Sequence, residues 1–317
     1  MRIHALPAAL LLASCAAVRP PAPPVELPWT SPLHRDHPLV GRIWDGRAGR
    51  FVSEADVRSS VARGRFVLLG ETHDNADHHA LQARLVEAMV AAGRRPALGF
   101  EMLDSEQQPA VDAVLAGPAP SAAALSVAVG WDQSGWPAFA LYAPIFQVGL
   151  DAKLPLVAAN LSRPVAREVI HRGPDALPPA LRELLDRAGP LSPAEEQARR
   201  EEMAALHCGH LPEAFLGPMV LAQRARDAQL AAALAARATE DGAVLVTGAE
   251  HAREDRGAGA FLPLAGAARD AVVSIAFREV RPGETAPPAG PLPWDFVVFT
   301  PGVARGDPCA GMRPSAG

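Results

Sequence analysis

Two copies of one short motif carry the polar chemistry of this sequence: Gly70-Glu71-Thr72-His73 and Gly248-Ala249-Glu250-His251. Each stands directly after a short apolar run, Arg65 to Leu69 in one case and Ala243 to Thr247 in the other. Two further apolar runs end on polar residues, Ala97 to Phe100 on Glu101 and Pro155 to Ala159 on Asn160. Imidazole is the commonest neutral metal ligand, and a carboxylate completes such a site, orients it, or acts as general base on a metal-bound water. His73, His251 and Glu101 are therefore a candidate set for a divalent metal. Glu71 and Glu101 are the candidate catalytic carboxylates if the chain is a metal-assisted hydrolase. A single Gly-x-x-His means little, because chance supplies many; two of them, each after a buried strand, are a signal. The plainer alternative is that both histidines only hydrogen-bond loop backbone. No Gly-x-Ser-x-Gly elbow and no cysteine-protease signature is present.

The elements that position these residues alternate. Short apolar runs at Arg65–Leu69, Ala97–Phe100, Pro155–Ala159, Ala243–Thr247, Val272–Phe277 and Phe296–Phe299 read as buried strands. Between them, Leu81, Leu85 and Met89 mark one helix opened by Asp77, and Pro137 to Leu150 marks another. This pattern predicts an α/β fold with a mainly parallel sheet flanked by helices in three layers. A mostly helical section, 164–237, reads as an insertion or cap between the third and fourth of these strands. In parallel α/β sheets ligands bind where the strands' carboxyl ends meet, so the two histidines, the glutamates and Asn160 are expected on one rim.

The chain's ends and composition bound the setting. Of 317 residues, 49% are hydrophobic and 21% charged, the profile of a folded globular protein. A net charge of −5 and no Lys/Arg-rich run give no basis for nucleic-acid binding. Arg2, an apolar run from Ala5 to Ala13 and Leu12-Ala13-Ser14-Cys15 read as an export signal, residues 1–14, and the quartet resembles a bacterial lipobox with Cys15 as the lipidated residue. A proline-dense segment, 15–39, reads as a stiff tether, 40–305 as the folded domain and 306–317 as a tail. These features predict a lipid-anchored protein on the periplasmic side of a bacterial membrane, the outer in preference to the inner. Cys208 and Cys309 remain, and the sequence leaves both a disulfide and two free thiols open.

The stretch Leu68 to Asn75, followed by His78, His79 and Gln82, resembles the opening signature of the ChaN-like family of haem-binding uptake lipoproteins, within the wider Tiki/TraB/erythromycin-esterase superfamily. The similarity continues through Gly99 to Met102, Gln108-Pro109, Gly135-Trp136-Pro137, Tyr142, Pro144, Leu154 to Asn160, Arg163, Ala222-Gln223, Asp227 and Gly248 to Gly257. It spans Arg58 to Leu264, with Glu250 where the family often has glycine. The resemblance implies haem binding in iron acquisition by a homodimer that holds two haems together. On the matched positions it implies His73, His78, Tyr142, Asn160, Arg163 and His251 as ligand-binding residues, with Tyr142, the chain's one tyrosine, as axial ligand. It also implies, through other branches, the hydrolase alternative. Tyr142 amid Phe139, Ile145 and Phe146 reads equally as a core aromatic, and His78 as helix-start packing. Gln223 and Asp227, four apart on a helix, either back the site or face solvent. Trp131 and Trp136 either flank a flat ligand or plug the core. Arg253 and Asp255 are expected to pair.

Overall fold

The strands of the sheet centre read as continuous apolar runs because each is buried on both sides. In the computed structural model, which describes residues 22–310, β3 (Phe66–Glu71) and β6 (Ala243–Gly248) are buried at every position. Side chains alternate across the sheet. Val67 and Leu69 join one core, with Phe100, Tyr142 and Phe146, while Phe66 and Leu68 join the other, with Val157, Leu230 and Leu234.

The other strands are β1 (Ile43–Asp45), β2 (Arg50–Val52), β4 (Ala97–Asp104), β5 (Leu156–Asn160), β7 (Val272–Glu279) and β8 (Phe296–Thr300). They form one eight-stranded sheet in the order β2-β1-β8-β7-β3-β6-β4-β5. From β8 to β5 every pairing is parallel, and β1 and β2 add an antiparallel edge. The helices are α1 (Glu54–Arg63), α2 (Ala76–Ala91), α3 (Gln108–Leu115), α4 (Ala122–Ala128), α5 (Phe139–Asp151), α6 (Arg163–Arg172), α7 (Pro179–Ala188), α8 (Pro193–Leu206), α9 (Glu213–Arg237) and α10 (Ala258–Phe261). Helices α1 to α5 cover one face and α6, α7, α9 and α10 the other. The expected three-layer α/β fold is present. The β1–β2 edge hairpin had no clear sequence signal, because three-residue strands show no alternation.

Three further expectations are refined. Helices α6 to α9 fill the section between β5 and β6, but α9 lies directly on β4, β5 and β6, so its small residues Ala225, Ala228 and Ala231 form part of the sheet's own covering layer. Helix α2 is capped by Asn75, whose side chain accepts from the backbone N–H of Asp77 and His78. Asp77 instead accepts the backbone N–H groups of Thr30 and Ser31 at 2.8 and 2.9 Å. That contact corrects the tether: from Val25, which is buried, residues expected to hang free are bound to the domain. Val25 N donates to Gly41 O at 2.7 Å, and Arg84 reaches Glu26 O. The export signal and Cys15 lie outside the described residues. Among the described residues no helix is long and apolar enough to cross a membrane.

Cys208, after α8, and Cys309, in the tail, form a disulfide, resolving the alternative the sequence left open.

Candidate functional site

Parallel pairing puts the ends of β3 and β6 side by side, with Glu71 opposite Gly248. The two Gly-x-x-His loops therefore interlock. A Cβ on Gly70 would lie 2.8 Å from both Ala249 Cα and Ala252 Cβ of the other loop, and one on Gly248 would lie 3.0 Å from His73 Nε2. The glycines are there because the loops pack too closely for a side chain. On the neighbouring strand the regular pairing of β4 with both β5 and β6 stops at Phe100, which releases Glu101 from the ladder.

On the α2/α5 side of the rim, Glu71 is a buried carboxylate surrounded by donors. His73 Nδ1 donates to Oε1 at 2.9 Å, and the Tyr142 hydroxyl donates to the same oxygen at 2.8 Å. His79 Nδ1 stands 3.1 Å from Oε2, close but poorly aligned, while its Nε2 donates to the His73 carbonyl at 3.0 Å. A carbonyl thus fixes one nitrogen of the His79 ring, and a carboxylate stands beside the other. Burial opposes a charge on that ring, but Glu71 raises its pKa above the usual value. Burial would likewise lift the pKa of Glu71, yet its histidine partners bring it down to about 2.

His73 is the open end of this cluster. Its side chain is 34% exposed, Nδ1 is fixed by Glu71, and Nε2 makes no hydrogen bond among the described residues. A carboxylate on the inner nitrogen fixes the tautomer and orients the outer one, as with metal- and haem-ligating imidazoles. Trp136 meets the ring edge-on at 4.9 Å between centroids, and Arg163 holds the preceding loop by donating to Ser134 O.

On the α9 side the arrangement is inverted. His251 is the buried centre and carboxylates surround it: Nδ1 donates to Asp227 Oδ1 at 2.6 Å, and Nε2 lies 3.6 Å from Glu101 Oε1. Burial disfavours the imidazolium, but Glu101 and Asp227 raise its pKa to about 9. Glu101 Oε2 accepts from Thr247 Oγ1 at 2.6 Å and Gly248 N at 2.7 Å. Asn160 Nδ2 donates to the Glu101 carbonyl, and its Oδ1 accepts from Arg226. A small hollow beside His251 is walled by Met203, Leu206, Val220 and Gln223.

His73, Glu101 and His251 thus share one rim, as expected, but as hydrogen-bonded pairs and not as a coordination set. Among the described residues no group of three or more His, Cys, Asp or Glu is placed to hold a metal ion. The reason is visible in the bonding: Glu101 is spent on Thr247, Gly248 and His251, and both His251 nitrogens face carboxylates.

Several individual expectations change. Tyr142 is fully buried with its hydroxyl on Glu71, and burial beside that carboxylate pushes its pKa far above the usual phenol value. It does not present an oxygen at the rim and serves to hold Glu71. His78 also sits away from the rim: Nδ1 accepts from Thr72 N at 2.9 Å and Nε2 bonds Thr300 Oγ1 at 2.8 Å. Burial keeps it neutral, with its pKa down to about 4. The helix spacing pointed to His78, whereas His79 reaches the site. Asp227 backs His251, and Gln223 lines the hollow beside it. Trp131 plugs the core, with its indole N–H on Pro137 O, while Trp136 stands at the rim. Glu250, in the family's glycine position, turns outward to Arg256 and Arg253. Arg253 pairs with Asp255 as expected. Thr247 and Arg226 were missed; the one signal for Thr247 was a hydroxyl ending an otherwise apolar strand.

The chain matches the family model described as haem-binding uptake, Tiki superfamily, ChaN, over residues 57–262. No curated protein matches it. Among solved structures, one described as cofacial heme binding to ChaN of Campylobacter jejuni aligns at 20% identity and TM-score 0.62, covering 81% of this chain and 95% of that one. The type III effector HopBA1 aligns at 13% identity and TM-score 0.43, covering 78% and 92%. An erythromycin esterase in its open conformation aligns at 17% and 0.42, covering 78% of each chain. The model match extends over about two thirds of the sequence and takes in His73, Glu101, Asp227 and His251 alike. This chain belongs to the haem-binding uptake family of the Tiki superfamily, ChaN.

Proposed function

We propose that this protein binds haem as cargo in iron uptake, with His73 as the iron ligand. The observation that carries the reading is the partly exposed ring of His73, with Nδ1 fixed by Glu71, Nε2 free of any hydrogen bond among the described residues, and Trp136 at its edge. Burial opposes a charge on His73, while Glu71 and Glu101 raise its pKa above the usual value. With one nitrogen fixed by a carboxylate and the other unbonded, the ring is a fitting axial donor to haem iron once that nitrogen gives up its proton. Bound haem would supply only the iron and its flat, apolar macrocycle. The protein's part is to orient His73, to offer Trp136 to the ring, and to keep the buried pair His251–Asp227 behind the rim. The setting is proposed as extracytoplasmic, with acyl chains on Cys15 anchoring the domain to the periplasmic side of a membrane, in preference the outer one. The Cys208–Cys309 disulfide supports an oxidising compartment. A homodimer holding two haems is proposed on the strength of the family.

The hydrolase reading is weaker. His251 carries its proton at neutral pH, since its pKa stands at about 9, and so is not poised as a base. Glu71 and Glu101 are already engaged with their neighbours.

Titration of the purified protein with hemin tests the proposal. A shifted Soret band that saturates, and is lost in His73→Ala but kept in Tyr142→Phe, is the expected result. Saturating binding that His73→Ala leaves unchanged would remove His73 from the role, and no binding by the wild type would remove haem.

A further inference from the structure

Behind the hollow at His251 lies a second, strongly polar cavity of about 330 Å³, between the α7–α8 connection, α9 and the segment following His251. Five arginines line it: Arg187, Arg199, Arg224, Arg256 and Arg269. The two carboxylates in its wall are committed elsewhere. Glu195 closes the capping box of α8 with Ser192, and Asp255 makes a bidentate pair with Arg253. Arg256 is held by Glu202 and Glu250.

Arg199 and Arg224 are different. Neither has a carboxylate within ion-pair distance among the described residues, and the one hydrogen bond of the two is from Arg224 to the Gly189 carbonyl. Both are half-buried. Burial, and then the nearest guanidinium, lower the pKa of each: Arg256 acts on Arg199, and Arg199 on Arg224. Asp227 and Glu195 act on both from beyond ion-pair distance. A guanidinium keeps its charge under such pressure, so neither has a direct carboxylate partner for it. Unpaired, partly desolvated guanidinium groups around a concave space are the arrangement that carboxylates and phosphates complete with forked hydrogen bonds. The cavity is also not isolated, because Arg199 and Arg256 line it and the His251 hollow together.

We propose that the arginine-lined cavity is an anion subsite that receives carboxylate groups of the ligand held at the rim. For haem these are the propionates, and that assignment rests on the haem reading; the anion site itself does not. Arg199 and Arg224 make the recognition, and Arg187 stands at the exposed lip.

Two measurements on the full chain test it. First, the thermal midpoint is followed with citrate, against chloride of equal ionic strength. Citrate should raise the midpoint saturably in the wild type, little in Arg199→Gln with Arg224→Gln, and to an intermediate degree in Arg187→Gln, which leaves the packing untouched. No citrate effect beyond chloride, or an undiminished one in the variants, overturns the anion site. Second, hemin is compared with its dimethyl ester. The wild type should prefer free hemin by about tenfold or more, the equivalent of one charge-assisted contact, and the double variant should bind both alike. Equal binding of the two by the wild type, or a preference that survives in the variant, overturns the link to the rim ligand and leaves a free anion as occupant. If the wild type binds neither porphyrin, the haem reading and the propionate assignment fall together, while the citrate response still decides the cavity.

Discussion

The two halves of the rim are built from the same residue types with opposite polarity. Beside α2 and α5 a carboxylate, Glu71, sits at the centre and histidines and a phenol surround it. Beside α9 a histidine, His251, sits at the centre and carboxylates surround it. In the first half a donor on the periphery, His73, keeps its outer nitrogen free for a ligand. In the second both nitrogens of the central ring are taken. A Gly-x-x-His motif therefore specifies where an imidazole stands, but its neighbours decide whether its outer nitrogen is left open or enclosed. The two clusters meet where the loops interlock, with Gly248 packed against both His73 and Glu101.

Removing the centre of either cluster should have the largest effect. Glu71→Ala strips His73, His79 and Tyr142 of the carboxylate they surround, and His251→Ala leaves Asp227 and Glu101 buried without their partner; each should cost about 3–5 kcal/mol of stability in urea unfolding. Comparable stability of either variant to the wild type would break the symmetry drawn here. The halves should also fail at opposite ends of the pH scale. The pKa of His251 rises on folding from the ordinary 6.5 to about 9, so its contribution is complete below 6.5 and lost as pH climbs through 9. That of Glu71 falls from 4.5 to about 2, so its contribution is complete above 4.5 and lost as pH drops through 2. Thermal midpoints across pH should show both flanks, with the alkaline one reduced in His251→Ala. Tyr142→Phe removes one hydrogen bond to a carboxylate, a cost of about 1–2 kcal/mol, and should leave any haem spectrum unaltered; an altered spectrum would return Tyr142 to the iron. The smallest stability change is expected for His73→Ala, under about 1 kcal/mol, because the ring is partly in water. A loss as large as that of His251→Ala would make His73 a structural residue too.

The sheet was legible in the sequence for a physical reason. Strands buried on both faces read as continuous apolar runs, and those runs ended at Gly70, Glu101, Asn160 and Gly248, at or beside the rim. The edge strands Ile43–Asp45 and Arg50–Val52 were not, being too short for a period to register. Position along the chain also could not tell His78 from His79. Adjacent helix residues differ by about 100° of rotation, and the cap at Asn75 fixes which of the pair turns to Glu71. The place of Tyr142 was decided by a contact seventy-one residues away, with a carboxylate whose own direction depends on strand alternation. Family resemblance picked out positions there without giving their directions.

The cross-link between Cys208 and Cys309 closes a ring spanning 101 residues of sequence. Asp227, Thr247 and His251 lie within that ring, while Glu71, His73 and Glu101 lie outside it. A chain still in a reducing environment would have every side chain of the rim but no staple across the ends of α8 and the tail. Closing a loop of that size removes roughly 4–5 kcal/mol of unfolded-chain freedom on the entropic account. The cross-link therefore steadies the end of α8, which supplies Met203 and Leu206 to the wall of the His251 hollow.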